Sequence, residues 1–323
     1  GDTLNVTLSL SNFGAADVTP LGGQISWDVS MCIKLDCARL DQSSGPVKTT
    51  VAQGSLGIVA FIFIMLPDIG NISNQSVVPH SIKVVASLSL ASSDDIERAE
   101  TVLASENSWN ATLYPKWVDM ATPGFDLTVT DSSLLPGCMF NNCRVDPSYP
   151  HSVYLTTQVN SILLEAVHAG SVAVLLQQDA NGFYPSEGTR FKQAWWLGSA
   201  TDNNAGTFVY EDRSGVFDNM SPLHYADVTW FRMIEGAQAF LLEEFGAHSQ
   251  PDVLVRAIDI STRTRNKALC FRLKVGNGYI IGSGLNLLQA CSQQGCPEKE
   301  KAWVLYKLLI HAADLMSSGA QLV

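Results

Sequence analysis

Over roughly the first 120 residues apolar and polar positions alternate with a period of two, which predicts strands with one buried face. Leu4, Val6, Leu8 and Leu10 share a face before Asn12-Phe13-Gly14 turns the chain. Ile25, Trp27 and Val29 repeat the pattern, as do Ile82, Val84, Ala86, Leu88 and Leu90. Trp109, Ala111 and Leu113 close the series before Pro115, with Trp109 and Ala111 expected to face inward. The run Ile58–Leu66, IVAFIFIML, is apolar throughout. It is too short to cross a bilayer as a helix, and its β-branched and aromatic content predicts a buried strand. Short strands separated by Gly, Pro and Ser clusters predict a β-sandwich, with Trp27 as its core tryptophan.

After Pro115 the period changes. FDLTVTD (125–131), SVAVLLQ (171–177), VLVRAID (253–259) and ALCFRLKV (268–275) read as strands. Leu155, Val159, Ile162, Leu163, Ala166 and Val167 repeat at helical spacing, and Gly170 is placed to end that helix. A second helix is expected over about 231–244 and a third from about Glu298 to Met316. Gly276-Asn277-Gly278 predicts a hairpin turn. Strands alternating with helices predict a doubly wound, mainly parallel α/β sheet covered on both faces. The boundary is placed at KWVDMATPG, giving domains 1–118 and 119–323.

Composition narrows the chemistry. Of 323 residues 46% are hydrophobic and 16% charged, so the chain is globular. A net charge of −11, without a Lys/Arg cluster to reverse it locally, argues against nucleic acid as a partner. Cys32 and Cys37, Cys138 and Cys143, and Cys291 and Cys296 share one spacing, with Cys270 left over. The repeated spacing predicts three local disulfides and one free thiol. Zinc is the rival, yet no histidine sits close in sequence to any pair, and no metal or cofactor is expected. Asn5, Asn71, Asn74, Asn110 and Asn219 are Asn-X-Ser/Thr glycosylation sequons. Together with the cysteines they predict a secreted glycoprotein, and the chain, in strand pattern from Leu4, reads as a mature or excised piece.

The search for catalytic residues is mostly negative. No Gly-X-Ser/Cys-X-Gly elbow and no phosphate-cradling loop occurs. Ser283, between two glycines, is a weak nucleophile candidate. His168 and His311 are expected on helices in structural roles, while His224 lies in the loop PLHYADVTW. In AWWLGSATDNN, Trp195 and Trp196 precede Asp202, Asn203 and Asn204. Aromatic faces beside amides and a carboxylate suit a sugar ring, so these five residues and His224 form the carbohydrate-binding candidate. The same groups could instead anchor a long loop, with one tryptophan buried. Asp202, Asp227 and Glu235 could pair for glycoside cleavage only across a pocket.

SWNATLYP (108–115) and GDTLNVTLSLSNFG resemble the immunoglobulin-like module of family-2 glycoside hydrolases. AWWLG…DNNAGT, LHYADVTWFRMIEGAQAFLL and VGNGYIIGSGLNL resemble a flavodoxin-like domain in the C-terminal parts of some β-galactosidase-type enzymes. That domain is similar in fold to class I glutamine amidotransferases. The resemblance implies an immunoglobulin-like β-sandwich followed by a flavodoxin-like α/β domain. It does not bring catalysis with it, because the (β/α)₈ barrel with its Asn-Glu motif and the amidotransferase cysteine elbow are both missing. The expected function is a secreted non-catalytic module for carbohydrate recognition or extracellular assembly, its partners being glycans or other extracellular subunits. The alternative is a fragment or subunit of an active β-galactosidase-type hydrolase whose barrel is upstream or on another chain.

Overall fold

The computed structural model describes residues 3–33, 36–67, 80–91, 101–114, 127–130, 143–144, 151–189, 207–210, 215–217, 220, 230–246, 250–259, 263–287 and 299–319. The chain divides into two compact units, Gly1–Pro115 and Lys116–Val323.

In the first unit β1 (Thr3–Asn12) pairs antiparallel with β4 (Ser55–Met65) as a two-stranded sheet. The other four strands, β2 (Gly23–Ile33), β3 (Asp36–Pro46), β5 (His80–Ala91) and β6 (Thr101–Leu113), form an antiparallel sheet in the order β3-β2-β5-β6. Leu8, Ile62, Ile64, Ile25, Val29, Val84 and Leu88 bring both sheets into one core, with Trp27 packed against it. The Trp27 indole N–H donates to Asp41 at 3.1 Å.

Among the described residues two strands face four, which is not the seven-strand immunoglobulin arrangement. This corrects two expectations. β4 is not buried on both faces: Val59, Ala60, Ile62 and Ile64 point into the core, whereas Phe61, Phe63 and Met65 are exposed. Trp109 and Ala111 are not enclosed either, and Trp109 is 45% exposed. Alternation gives a side chain its face, but only an opposing strand buries it.

The second unit is built on a ten-stranded sheet. Its strands are β7 (Leu127–Val129), β8 (Cys143–Arg144), β9 (Val153–Thr156), β10 (Val172–Leu176), β11 (Ser186–Gly188), β12 (Thr207–Tyr210), β13 (Gln238–Leu241), β14 (Asp252–Ile258), β15 (Lys267–Val275) and β16 (Gly278–Ser283). The helices are α1 (Ser161–His168), α2 (Phe231–Ile234) and α3 (Lys299–Gly319). β8, β7, β9, β10 and β16 run parallel, while β15 joins β16, β14 and β13 antiparallel.

The doubly wound flavodoxin-like α/β domain is therefore corrected to a strand-dominated mixed sheet with three helices among the described residues. Two local causes are visible. The stretch 231–244 is not one helix: Gly236, at φ +74°, follows the single turn of α2, and β13 and a 3₁₀ turn come next. Leu155 belongs to β9, and α1 starts only after Asn160, whose side-chain oxygen accepts from the Leu163 N–H at 2.9 Å. Gly170, at φ +122°, follows its end.

α1 packs Leu163 and Val167 on Tyr154, Ala173, Leu175 and Ile280. α3 lies against β9, β10 and β16. No helix among the described residues is long and apolar enough to cross a membrane.

Candidate functional site

A cleft of about 270 Å³ opens in the first unit. Its wall is β1 from Leu8 to Ser11, and Leu8, Ile25 and Val59 are its most buried lining residues. The floor is the core-facing side of β5 and β6. There Ala86 and Leu88 stand beside Asn107 and Ser105, their register partners, and Trp109 stands beside Val84.

The cleft exists because β1 and β4 cover only part of the four-stranded sheet. The side chains of β6 that would be core in a closed sandwich are therefore Ser, Asn and Trp. The Ser87 hydroxyl donates to Glu106 at 2.9 Å, and the Asn107 side-chain oxygen accepts from the Ser108 N–H at 2.8 Å. An aromatic ring, amide and hydroxyl groups and a volume just under the roughly 300 Å³ lower bound of small-molecule pockets suit a short saccharide. They do not suit a dinucleotide. Reasoning from sequence placed Trp109 inside; the signal it passed over was polar Ser105 and Asn107 on the same face.

The second unit holds a compact charged cluster. Lys267 opens β15 with its side chain 1% exposed, and its ammonium lies 2.5 Å from Glu187 and 2.7 Å from Asp259. Arg263 lies 2.9 Å from Asp259, and Arg265 bridges Glu187 at 2.5 Å and Asp259 at 3.2 Å. Three cations meet two carboxylates, which are satisfied by direct contact. Such an arrangement clamps β11, β14 and β15 together, and no local pattern announces it because its members are spread over Glu187–Lys267.

Ser283 does not stand exposed at a cleft as a nucleophile would. It is fully buried, cross-strand from buried Cys270, whose thiol is pushed up by burial. The space beside Gly282 is filled by the Phe271 ring and that beside Gly284 by the Gln238 carbonyl, so the backbone on both sides of Ser283 is tightly packed.

His168 is exposed in the last turn of α1, and Glu235 is exposed at the end of α2. His311, half-buried on α3, is lowered to about 4 by burial, then by Arg272 and Lys307, against the opposing pull of Asp252. Between that value and the ordinary one near 6.5 the unfolded chain binds a proton that the folded chain refuses. Stability from this group is thus complete above pH 6.5 and is lost as pH falls toward 4. Thermal melts of wild type and His311→Gln should therefore diverge, with wild type losing more Tm across that interval. Parallel curves would refute the assignment.

Trp195, Trp196, Asp202, Asn203, Asn204, His224 and Asp227 lie outside the described residues, as do Cys138, Cys291, Cys296, Asn71, Asn74 and Asn219. Cys143 is in β8. Cys32 and Cys37 are disulfide-bonded across β2 and β3, and Cys270 is a free thiol. Asn5 and Asn110 are both exposed. Among the described residues no group of His, Cys, Asp and Glu could hold a metal ion.

No curated protein matches the chain. Over residues 154–313 the chain is similar to the family described as a domain of unknown function (DUF8487), a match that begins in β9 and ends in α3.

Proposed function

We propose that the protein is a secreted, glycosylated, non-catalytic module that recognises carbohydrate through the Trp109 cleft. The observation that carries this reading is the row Ser105, Asn107 and Trp109 on the core-facing side of β6. A sheet that needed only a core would place aliphatic residues there. An aromatic face flanked by hydroxyl and amide groups provides apolar contact for the C–H face of a sugar and hydrogen bonds for its rim. The Cys32–Cys37 bond and the exposure of Asn5 and Asn110 are consistent with an oxidising, glycosylating compartment. β6 also ends in SWNATL, the first part of the motif SWNATLYP that resembles the closing strand of sandwich modules in glycoside hydrolases.

The test is a glycan array followed by titration of the best ligand against Trp109→Ala and Asn107→Ala. Each substitution should weaken binding about tenfold, a loss of about 1.4 kcal/mol. Both positions lie on the open cleft, so Tm should stay within about 2 °C of the parent. A parent protein that binds no glycan, or variants that bind as well as the parent, would overturn the reading.

A further inference from the structure

The outer face of the β1–β4 sheet is unequal. From β4 it presents Leu56, Ile58, Phe61, Phe63 and Met65, exposed by 71, 43, 43, 70 and 72%. From β1 it presents short polar side chains, with Thr3 opposite Met65, Asn5 opposite Phe63 and Thr7 opposite Phe61. Lys48 places its ammonium 5.3 Å from the centre of the Phe61 ring, and the Thr3 hydroxyl donates to the Met65 sulfur at 3.7 Å. An apolar stripe this long on a soluble surface calls for a cover.

Asn5 and Thr7 are the acceptor and hydroxyl residues of one sequon, Asn5-Val6-Thr7, and both are exposed on this same face. Directly opposed residues on antiparallel strands hold their Cβ atoms about 5 Å apart. A ring attached to the Asn5 amide therefore starts beside Phe63.

We infer that an N-linked glycan on Asn5 is the cover, its first N-acetylglucosamine lying on the Phe63 ring and its next sugars reaching toward Phe61 or Met65. This deepens the proposed function, because it rests on passage through a glycosylating compartment. In the attachment step the Asn5 amide nitrogen bonds to the anomeric carbon of a lipid-diphosphate-linked oligosaccharide. The carbon–oxygen bond to the diphosphate breaks, the lipid diphosphate leaves with that electron pair, and the amide gives up one proton. The sugar's C–H face packs on the aromatic face while its hydroxyls stay in water, so the stripe is hidden without a protein partner.

Wild type, Thr7→Ala and Phe63→Thr, alone and combined, are made as the full chain in a secreting eukaryotic host. Peptide mapping should find Asn5 occupied in wild type and bare in Thr7→Ala. Loss of the glycan should raise binding of an apolar dye severalfold and lower Tm by about 3 °C. Phe63→Thr should lower Tm in the glycosylated background and leave it unchanged in the Thr7→Ala background, because the ring then has no sugar to meet.

If Asn5 is bare while Asn110 carries a glycan, the secreted reading stands and the inference falls. Secreted protein with no occupied sequon sinks both. Occupied Asn5 with equal effects of Phe63→Thr in the two backgrounds overturns the cap. So does dimerisation of fully glycosylated protein through the stripe.

Discussion

Replacing Asp259 by Asn should lower the stability of the second unit by about 3–5 kcal/mol, the range for removing one partner of a buried ionic cluster. The Asp259 side chain is 1% exposed and accepts from three basic residues. One oxygen accepts from Lys267 at 2.7 Å and from Arg263 at 2.9 Å; the other accepts from the Arg265 backbone N–H and guanidinium, each at 3.2 Å. An amide keeps the shape but removes the charge. Three cations then face the lone carboxylate of Glu187, and the Lys267 ammonium is too deep for water to take over. Lys267→Met should cost less, because it leaves two arginines against two carboxylates. The double variant should regain part of the Asp259→Asn loss, since the cation that suffers most from it is gone. Urea unfolding, with hydrogen exchange read on peptides of β14 and β15, measures all three. An Asp259→Asn protein within 1 kcal/mol of wild type, or strictly additive effects, would show that the cluster does not hold these strands.

That cluster also shows where sequence reading stops. Lys267 stands one residue ahead of the stretch read as ALCFRLKV, and nothing near it announces Glu187, 80 residues earlier. Its burial depends on which strands become neighbours, and a period of two does not say that. Local grammar was legible where the signal was local: the period-two runs of β1 and β2, the Gly276-Asn277 turn between β15 and β16, and the helix expected from about Glu298, which is α3.

The doubly wound architecture was lost to one glycine and to segments that pair rather than coil. The apolar spacing of 231–244 fits a helix, but Gly236 at φ +74° turns the chain, and Gln238–Leu241 gains more by pairing with β15 and β11. Trp109 shows the converse. Its face was read correctly as the core side of β6, yet exposure depends on how far β1 and β4 extend over it. The cleft is what remains where they do not, and within β6 only the polar Ser105 and Asn107 on that face hint at it.

Gly278→Ala should be the most disruptive small substitution in the parallel part of the sheet, costing about 3 kcal/mol or more. A methyl group there would stand 2.0 Å from the Ser171 carbonyl oxygen and 2.3 Å from that of Val167. Both are main-chain atoms, so no rotamer change relieves the overlap. They are fixed by the turn that ends α1, where Gly170 N–H donates to Val167 and Ser171 N–H to Ala166, each at 3.0 Å.

The alternative is to move β16, which begins at Gly278. That strand is held on one side by β10, with Tyr279 opposite Val172, and on the other by β15, with Gly278 opposite Val275. Shifting it would strain both ladders and the buried contact of Ile280 with Leu163 and Val167. Gly45→Ala on β3 is the control, because nothing lies within 4 Å of its added methyl group. Its effect should stay within about 0.5 kcal/mol. Thermal unfolding should separate the two variants by well over 5 °C, with early hydrogen exchange in β10 and β16 of Gly278→Ala. Equal melting of the two would mean that the α1–β10 turn yields easily, and the close approach of its carbonyls to β16 would then not be what seats this strand.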